Sequence, residues 1–350
     1  MRIKPKESVR KLKKYSPGLF RGKIKLDANE NSFDVPENVR QKILARAANL
    51  SLNRYPDPAA GKLRKKIAGK IMVPAGKIFT GNGSDEIIFY LMAAYLNRGD
   101  YVVVPDPTFE MYSIIAGVFG AEVKNVPLDK NFDIDEKEII RQAKNKKAKF
   151  IFISYPNNPT GNCFTREKTE KIIKKSGCFV VIDEAYYEFS GKTFINKLNK
   201  YPNLIVLRTF SKAYSMAGLR VGYMAAAGSV AGTLDKIRLP YNINSFSQAA
   251  AECGLDFSGA LKKNVKTIRR ERDKMYSELS GFYDITRSDA NFLFFRAKNA
   301  EKIKKYFKKE GISIRMYSSG RLKNHIRVTV GRPEENKRVL RILKAVSKGE

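Results

Sequence analysis

The sequence has no apolar run that approaches the roughly 20 residues a bilayer-spanning helix needs. Its N-terminus, MRIKPKESVRKLKKY, is basic but is not followed by the apolar segment of a secretory signal. Both absences lead to the expectation of a cytoplasmic protein with no membrane partner. Cysteine is scarce: Cys163, Cys178 and Cys253 form no CxxC pair and lie too far apart for a zinc ribbon, so reduced, buried thiols are expected. The single histidine, His325, leaves no histidine-rich metal site and no Ser-His-Asp triad unless that residue serves it, and no metal is expected. Acidic residues are also few, 35 against 67 Lys+Arg, for a formal charge of +32. Such an excess attracts nucleic acid or acidic membrane, and it also steers small anionic substrates toward a cleft. The lysines, however, are spread along helical stretches such as 168–175 and 302–309, and no helix-turn-helix, RNP or zinc-finger pattern accompanies them. No specific nucleic-acid partner is therefore expected, although a nucleic-acid-binding protein on an inactive enzyme scaffold stays open as a reading of another class.

What is present is a 350-residue chain long enough for two unequal domains. Residues 1–35 read as an arm with little regular structure, carrying a turn at Tyr15-Ser16-Pro17-Gly18 and then LDANEN. Pro36 can open a helix whose apolar face is Val39, Ile43, Leu44 and Ala47. From Ile78 onward strand, turn and helix repeat, with strands expected near 78–80, 101–104, 122–126, 150–154 and 179–182. Short β-rich runs alternating with helical patterns indicate an α/β layer built on a largely parallel sheet. From about Ser229 the texture changes to one long helical region through Leu279, followed by short strands and two helices. The expected architecture is a large domain over 36–235, with a mostly parallel seven-stranded sheet sandwiched by helices, and a smaller α+β domain over 236–350.

In such sheets ligands collect beyond the carboxyl ends of the strands, and the chemistry-bearing residues follow strands here. Gly81-Asn82-Gly83-Ser84-Asp85-Glu86 lies between a strand and a helix, where glycines admit a ligand and free N–H groups favour a phosphate. Helix capping by Ser84 or Asp85 would account for the same residues. Phe109, after the strand at 101–104, can stack on a planar ligand or simply fill the core. Pro156-Asn157-Asn158-Pro159 makes a rigid turn with amide donors. Asp183 ends a strand that is otherwise continuously apolar, and its carboxylate is costly to desolvate unless it meets a cation such as a salt-bridge partner or a protonated pyridine nitrogen. Lys212 follows the apolar run Ile205, Val206, Leu207, with Arg220 eight residues on; an amine so placed loses its proton readily when desolvated. In a chain this rich in lysine, a solvated surface role is the ordinary reading of Lys212 taken alone.

In this order the pieces resemble a pyridoxal-phosphate enzyme of the aspartate-aminotransferase fold type. More narrowly, the chain resembles the histidinol-phosphate aminotransferases over nearly its whole length. The resemblance is carried by LDANEN at 26–31, NRYPDP at 53–58, GNGSDE at 81–86, PNNPTG at 156–161, DEAYYEF at 183–189, TFSKAYSMAGLRVGY at 209–223, SDANF at 288–292 and HIRVTVGRPEEN at 325–336. It implies that Lys212 anchors pyridoxal 5'-phosphate covalently and later shuttles a proton. Asp183 would pair with the ring nitrogen, Asn157 and Tyr186 with the phenolic oxygen, and Phe109 would lie against the ring. Ser84, Asp85, Ser211 and Arg220 would hold the phosphate, joined by Tyr55 from the other subunit of a homodimer.

The implied reaction is a ping-pong transfer from histidinol phosphate to 2-oxoglutarate, giving imidazole acetol phosphate and glutamate in histidine biosynthesis. For the substrate, the resemblance points to Arg327 as a carboxylate clamp and Arg315 as a phosphate ligand, with Tyr15 and Asn29 near them. Arg321 and His325, in the variable stretch MYSSGRLKNH, are expected as surface residues. An aromatic amino-acid aminotransferase and a threonine-phosphate decarboxylase would share the cofactor residues and remain alternatives.

Overall fold

In the computed structural model, which describes residues 3–10, 12, 14 and 22–349, the chain forms twelve strands among the described residues. In chain order they are β1 (Ile24–Leu26), β2 (Ile78–Gly81), β3 (Tyr101–Asp106), β4 (Glu122–Pro127), β5 (Ala148–Ser154) and β6 (Phe179–Asp183). They continue with β7 (Leu204–Thr209), β8 (Gly222–Ala225), β9 (Asp284–Thr286), β10 (Phe292–Arg296), β11 (Ile312–Tyr317) and β12 (His325–Thr329).

Seven of these form one sheet in the order β2-β8-β7-β6-β5-β3-β4. Strands β7, β6, β5, β3 and β4 run parallel, and β8 is antiparallel to both β7 and β2. All six residues of β7 are buried, as a central strand covered on both faces requires. Side chains alternate between the two faces: Ile151, Ile153, Val180, Ile182 and Val206 enter one core, and Phe150, Phe152, Val181, Ile205 and Leu207 the other. Each such side chain contributes roughly 1.5–3 kcal/mol by leaving water, so the sheet is fixed from both sides. Its rigidity lets the strand ends hold functional groups. The mostly parallel seven-stranded sheet matches the expectation from sequence.

The second sheet has the order β1-β11-β12-β10-β9. Leu293, Phe295, Ile326 and Val328 turn one of its faces into a core shared with helices Ser258–Leu279, Ala300–Lys309 and Pro333–Lys348. The opposite face carries Arg315 and Arg327, Cα partners across the antiparallel β11–β12 pair.

Two stretches differ from their expected form. The N-terminal region contributes β1, paired in parallel with β11, because Ile24 and Leu26 bury their side chains on either side of exposed Lys25. Three residues give no periodic signal in sequence, and their partner strand is nearly 300 residues away. The expected long helix from Ser229 divides into Gly228–Ile237, Ser245–Asp256 and Ser258–Leu279. Pro240 has no N–H to continue the first, and Asn244 caps the second by accepting from the Ser247 amide at 2.8 Å. Helix Ser245–Asp256 packs on helices Glu37–Ala48 and Gly61–Ile71, with Ala250, Ala251 and Cys253 in the large sheet's core. Tyr15 lies outside the described residues.

Candidate active site

The carboxyl ends of β3, β5, β6 and β7 open on one edge of the large sheet, and the arginine-bearing face of the small sheet meets them there. Asp183, the last residue of β6, is 4% exposed, yet its carboxylate is engaged on both oxygens. Oδ2 accepts from the Tyr112 hydroxyl at 2.7 Å and Oδ1 from the Ala185 amide at 3.1 Å. Burial pushes its pKa up to about 6, against the pull of those two donors. This carboxylate has no cationic partner among the described residues.

Lys212 lies in a tight loop after β7. Thr209 Oγ1 accepts from the Ser211 amide at 3.0 Å, Phe210 and Val221 pair through the backbone at 2.9 Å, and the Met216 amide closes on the Phe210 carbonyl at 3.1 Å. The loop leaves the Lys212 amine in the cleft, donating to the Ala28 carbonyl at 3.0 Å. Desolvation, reinforced by the positive charge of Arg327, brings its pKa down to about 8. An amine in this state has a substantial neutral, nucleophilic fraction near neutral pH.

Arg327 donates to the Asn158 side-chain carbonyl at 2.6 Å and to the Asp27 carbonyl at 2.5 Å, while its Nε is buried without a partner. Its acceptors among the described residues are thus neutral, and the guanidinium keeps its charge for something else. The Asn29 amide group donates to the Tyr186 hydroxyl at 3.0 Å, and burial pushes that phenol up to about 12. Three consecutive residues of the N-terminal region, Asp27, Ala28 and Asn29, therefore meet Arg327, Lys212 and Tyr186 in turn.

A third cluster sits where β8 passes the start of helix Ser84–Tyr95. Arg220 Nη1 donates to Ser211 Oγ at 3.2 Å and Nη2 to the Asp85 carboxylate at 3.2 Å. The space is kept by glycine: a Cβ on Gly83 would stand 2.4 Å from Arg220 Nη2, and one on Gly222 would stand 2.5 Å from the Ser84 amide nitrogen. Gly83 also has φ +83°, which side-chain-bearing residues rarely adopt. A helix N-terminus, a serine hydroxyl and a guanidinium together suit a phosphate.

Phe109 packs edge-on against Tyr112 at 5.5 Å. Asn157 is fully buried, its amide donating to the Pro107 carbonyl at 3.0 Å and to Thr160 Oγ1 at 2.8 Å while Thr108 donates to its carbonyl at 2.8 Å. Binding a ring oxygen at Asn157 would exchange one of those two acceptors. Tyr55 stands apart on the surface, 80% exposed, with its ring stacked on Tyr241 at 4.3 Å.

Sequence reasoning missed Tyr112 and Thr108, and it placed Asn158 in the turn without foreseeing its bond to Arg327. The available signal for Tyr112 was its place three residues after Phe109, in the first turn of helix Met111–Val118. Arg321 is exposed, as expected of a surface residue, and it also donates to the carbonyls of Asp106 at 3.2 Å, Leu128 at 2.6 Å and Asp129 at 3.0 Å. It thereby ties the β11–β12 connection to the end of β3. The His325 ring stacks on Phe294 at 4.9 Å.

Over nearly its whole length the chain has relatives among known proteins. Residues 21–343 match the family model for aminotransferase class I and II, and the chain belongs to that family. It is 38% identical over 344 residues to the histidinol-phosphate aminotransferase of Caldanaerobacter subterraneus subsp. tengcongensis, covering 97% of this chain and 98% of the relative. It is 41% identical over 323 residues to the histidinol-phosphate aminotransferase of Pyrococcus furiosus, covering 92% of each chain. In fold it is similar to the histidinol-phosphate aminotransferase of Sinorhizobium meliloti solved in complex with pyridoxal-5'-phosphate. That likeness has a TM-score of 0.89 at 23% identity and covers 98% of this chain and 97% of the other.

Proposed function

We propose that this aminotransferase uses pyridoxal 5'-phosphate to move the amino group of histidinol phosphate to 2-oxoglutarate, as in histidine biosynthesis. The observation that carries the substrate assignment is the arginine pair. Arg315 and Arg327 face each other across β11–β12, and both guanidiniums lie near aromatic rings, Arg315 5.6 Å from the centre of Tyr317 and Arg327 5.5 Å from that of Phe292. Among the described residues neither has a carboxylate partner. A planar fork of donors binds a phosphate monoester and a carboxylate equally well, which lets one pocket serve both half-reactions.

The residues at the strand ends fit the cofactor. Ser84, Asp85, Ser211 and Arg220 would hold its phosphate, Phe109 its ring face, and Asn157 and Tyr186 its phenolic oxygen. The buried carboxylate of Asp183, which has no cationic partner among the described residues, would face the ring nitrogen and keep it protonated. When bound, pyridoxal phosphate supplies an electron sink for the substrate's reacting carbon. Lys212 would hold the cofactor through Nζ, and with substrate bound the same nitrogen would take the proton from that carbon. Arg327 and Arg315 orient the substrate's anionic end, and the region from Asp27 to Asn29 narrows access to Lys212.

A homodimer belongs to this reading, with Tyr55 of the partner subunit completing the phosphate site. In its support, the exposed Tyr55 ring is stacked on Tyr241 without being buried by its own chain. A cytoplasmic location is part of the same reading; no helix among the described residues is long and apolar enough to cross a membrane.

The test is a half-reaction screen on the purified, coloured protein with histidinol phosphate, phenylalanine, tyrosine and threonine phosphate. Histidinol phosphate should bleach the visible band fastest, and 2-oxoglutarate should restore it. Carbon dioxide release from threonine phosphate, or faster bleaching by an aromatic amino acid, would overturn the substrate assignment. A protein that takes up no cofactor would overturn the reading as a whole.

A further inference from the structure

Behind the site lies an ion pair that the proposed chemistry does not use. Glu184 follows Asp183, Arg208 precedes Thr209 on β7, and their side chains are 0% and 5% exposed. Arg208 Nε and Nη2 reach Glu184 Oε2 at 3.0 and 2.8 Å, and Nη2 also donates to Thr193 Oγ1 at 2.9 Å. The guanidinium carbon lies 3.6 Å from the centre of the Tyr187 ring. Glu184 is further held by the Phe194 amide at 2.6 Å and by the Thr193 hydroxyl at 2.8 Å.

Desolvating two charges costs as much as, or more than, their mutual attraction returns, so an apolar pair would stabilise this spot at least as well. A guanidinium offers what an apolar side chain lacks: an edge of donors and a flat face at a fixed angle. Arg208 uses both. In the run Asp183 to Tyr187, Asp183 and Tyr186 turn toward the cofactor site, whereas Glu184 and Tyr187 turn back to Arg208, one to its edge and one to its face. The Glu184 amide also donates to the Leu207 carbonyl at 2.8 Å, so the same segment is laid along the strand that leads to Lys212.

We propose that Arg208 is a positioning residue for the reaction: by gripping Glu184 and Tyr187 it sets Asp183 and Tyr186 relative to Lys212. This inference rests on the aminotransferase reading above and adds to it a residue that touches neither substrate nor cofactor. Misplacing reacting groups by an ångström costs up to about 100-fold in rate, which is the scale to expect.

The experiment compares the parent protein with Arg208→Lys, Tyr187→Leu and the double variant Arg208→Met/Glu184→Gln. Arg208→Lys keeps the charge but loses the fork and the flat face; Tyr187→Leu removes the ring and leaves no charge unpaired; the double variant removes both charges together, which protects folding. Four quantities are read: melting temperature, affinity of the apoprotein for pyridoxal phosphate, the pH midpoint of the visible absorbance, and kcat with KM. We expect kcat to fall about 10- to 100-fold in Arg208→Lys and in the double variant, with KM for 2-oxoglutarate within about twofold of the parent. The absorbance midpoint should move by at least about 0.5 pH unit in all three variants, because Asp183 and Tyr186 set it. Parental kcat and midpoint in Arg208→Lys would overturn the proposal, since charge alone would then suffice. So would variants that melt earlier but keep the parent's kcat and midpoint. A parent protein that takes up no cofactor overturns the functional reading and this inference together, whereas a coloured, active parent with unaltered variants overturns this inference alone.

Discussion

Replacing Gly222 by alanine isolates the phosphate cradle from the rest of the fold. Gly222 lies in β8 between Gly81 of β2 and Thr209 of β7, and the hydrogen-bonded register on both sides prevents the strand from moving away. An added Cβ would stand 2.5 Å from the Ser84 amide nitrogen and 2.6 Å from the Gly83 carbonyl carbon. Ordinary contact requires about 3.5 Å, so the backbone turn at Gly83 and Ser84 must retreat by roughly 1 Å. Overpacking of this kind costs the fold about 1–3 kcal/mol. The cofactor loses more selectively: withdrawing an amide donor from an ionised phosphate removes about 1.5–3 kcal/mol. Binding should therefore weaken roughly 10- to 100-fold. Apoprotein is titrated with pyridoxal phosphate while the visible band is followed, and melting is recorded by circular dichroism on the same samples. If Gly222→Ala melts several degrees early but binds the cofactor as tightly as the parent, the Ser84 amide does not hold the phosphate and the assignment of the cradle fails.

Other consequences follow from the same geometry. Lys212→Ala should abolish both the visible band and its fixation by borohydride; a variant that stays coloured and fixable would move the anchor elsewhere. Because burial raises Asp183 from 3.8 to about 6, the folded apoprotein holds a proton there that the unfolded chain has released, so this group's contribution to stability falls as pH rises from about 4 to about 6. Asp183→Asn should accordingly stabilise the apoprotein at pH 8 by roughly 1–3 kcal/mol, less at pH 5, while eliminating turnover; denaturant unfolding at the two pH values checks the sign. In the apoprotein, modification of Lys212 by an amine-directed aldehyde and reductant should be half-maximal near pH 8, read by mass spectrometry of the labelled peptide; a midpoint above 10 would show that the amine is solvated. Arg315→Ala should raise KM for histidinol phosphate about 10-fold or more and that for glutamate less, and equal losses would show that Arg315 does not discriminate.

Strands β6, which ends at Asp183, and β7, which leads to Lys212, were legible because a central parallel strand is buried on both faces, and its continuous apolar run ends abruptly where a polar group appears. The tight turn before helix Ser84–Tyr95 was legible for a similar reason: GNGSDE combines two residues without side-chain bulk with the first turn of a helix. Strand β1 was not, since three residues cannot show a period and its partner strand lies almost 300 residues later. Nor was the break in the long helical region, where Pro240 and the Asn244 cap together outweigh a helical pattern that continues on both sides.

By itself the sequence determined the order of strand ends and therefore which residues would line one edge of the sheet: Asp183, Lys212 and the Gly83 turn each follow a short apolar strand, whereas Arg220 comes just before β8 and reaches the same edge because β8 runs antiparallel to β7. The tertiary structure decided which of them are altered by their surroundings. Lys212 is lowered and Asp183 raised because both lose water in the assembled cleft, and only the assembled cleft brings Arg327 and Ala28 to the amine. Tyr112 behind Asp183, Asn158 on Arg327 and Arg208 behind Glu184 are contacts between side chains 24 to 169 residues apart. A local pattern carries no record of such pairs, because they arise from the crossing of strands and not from the spacing along any one of them.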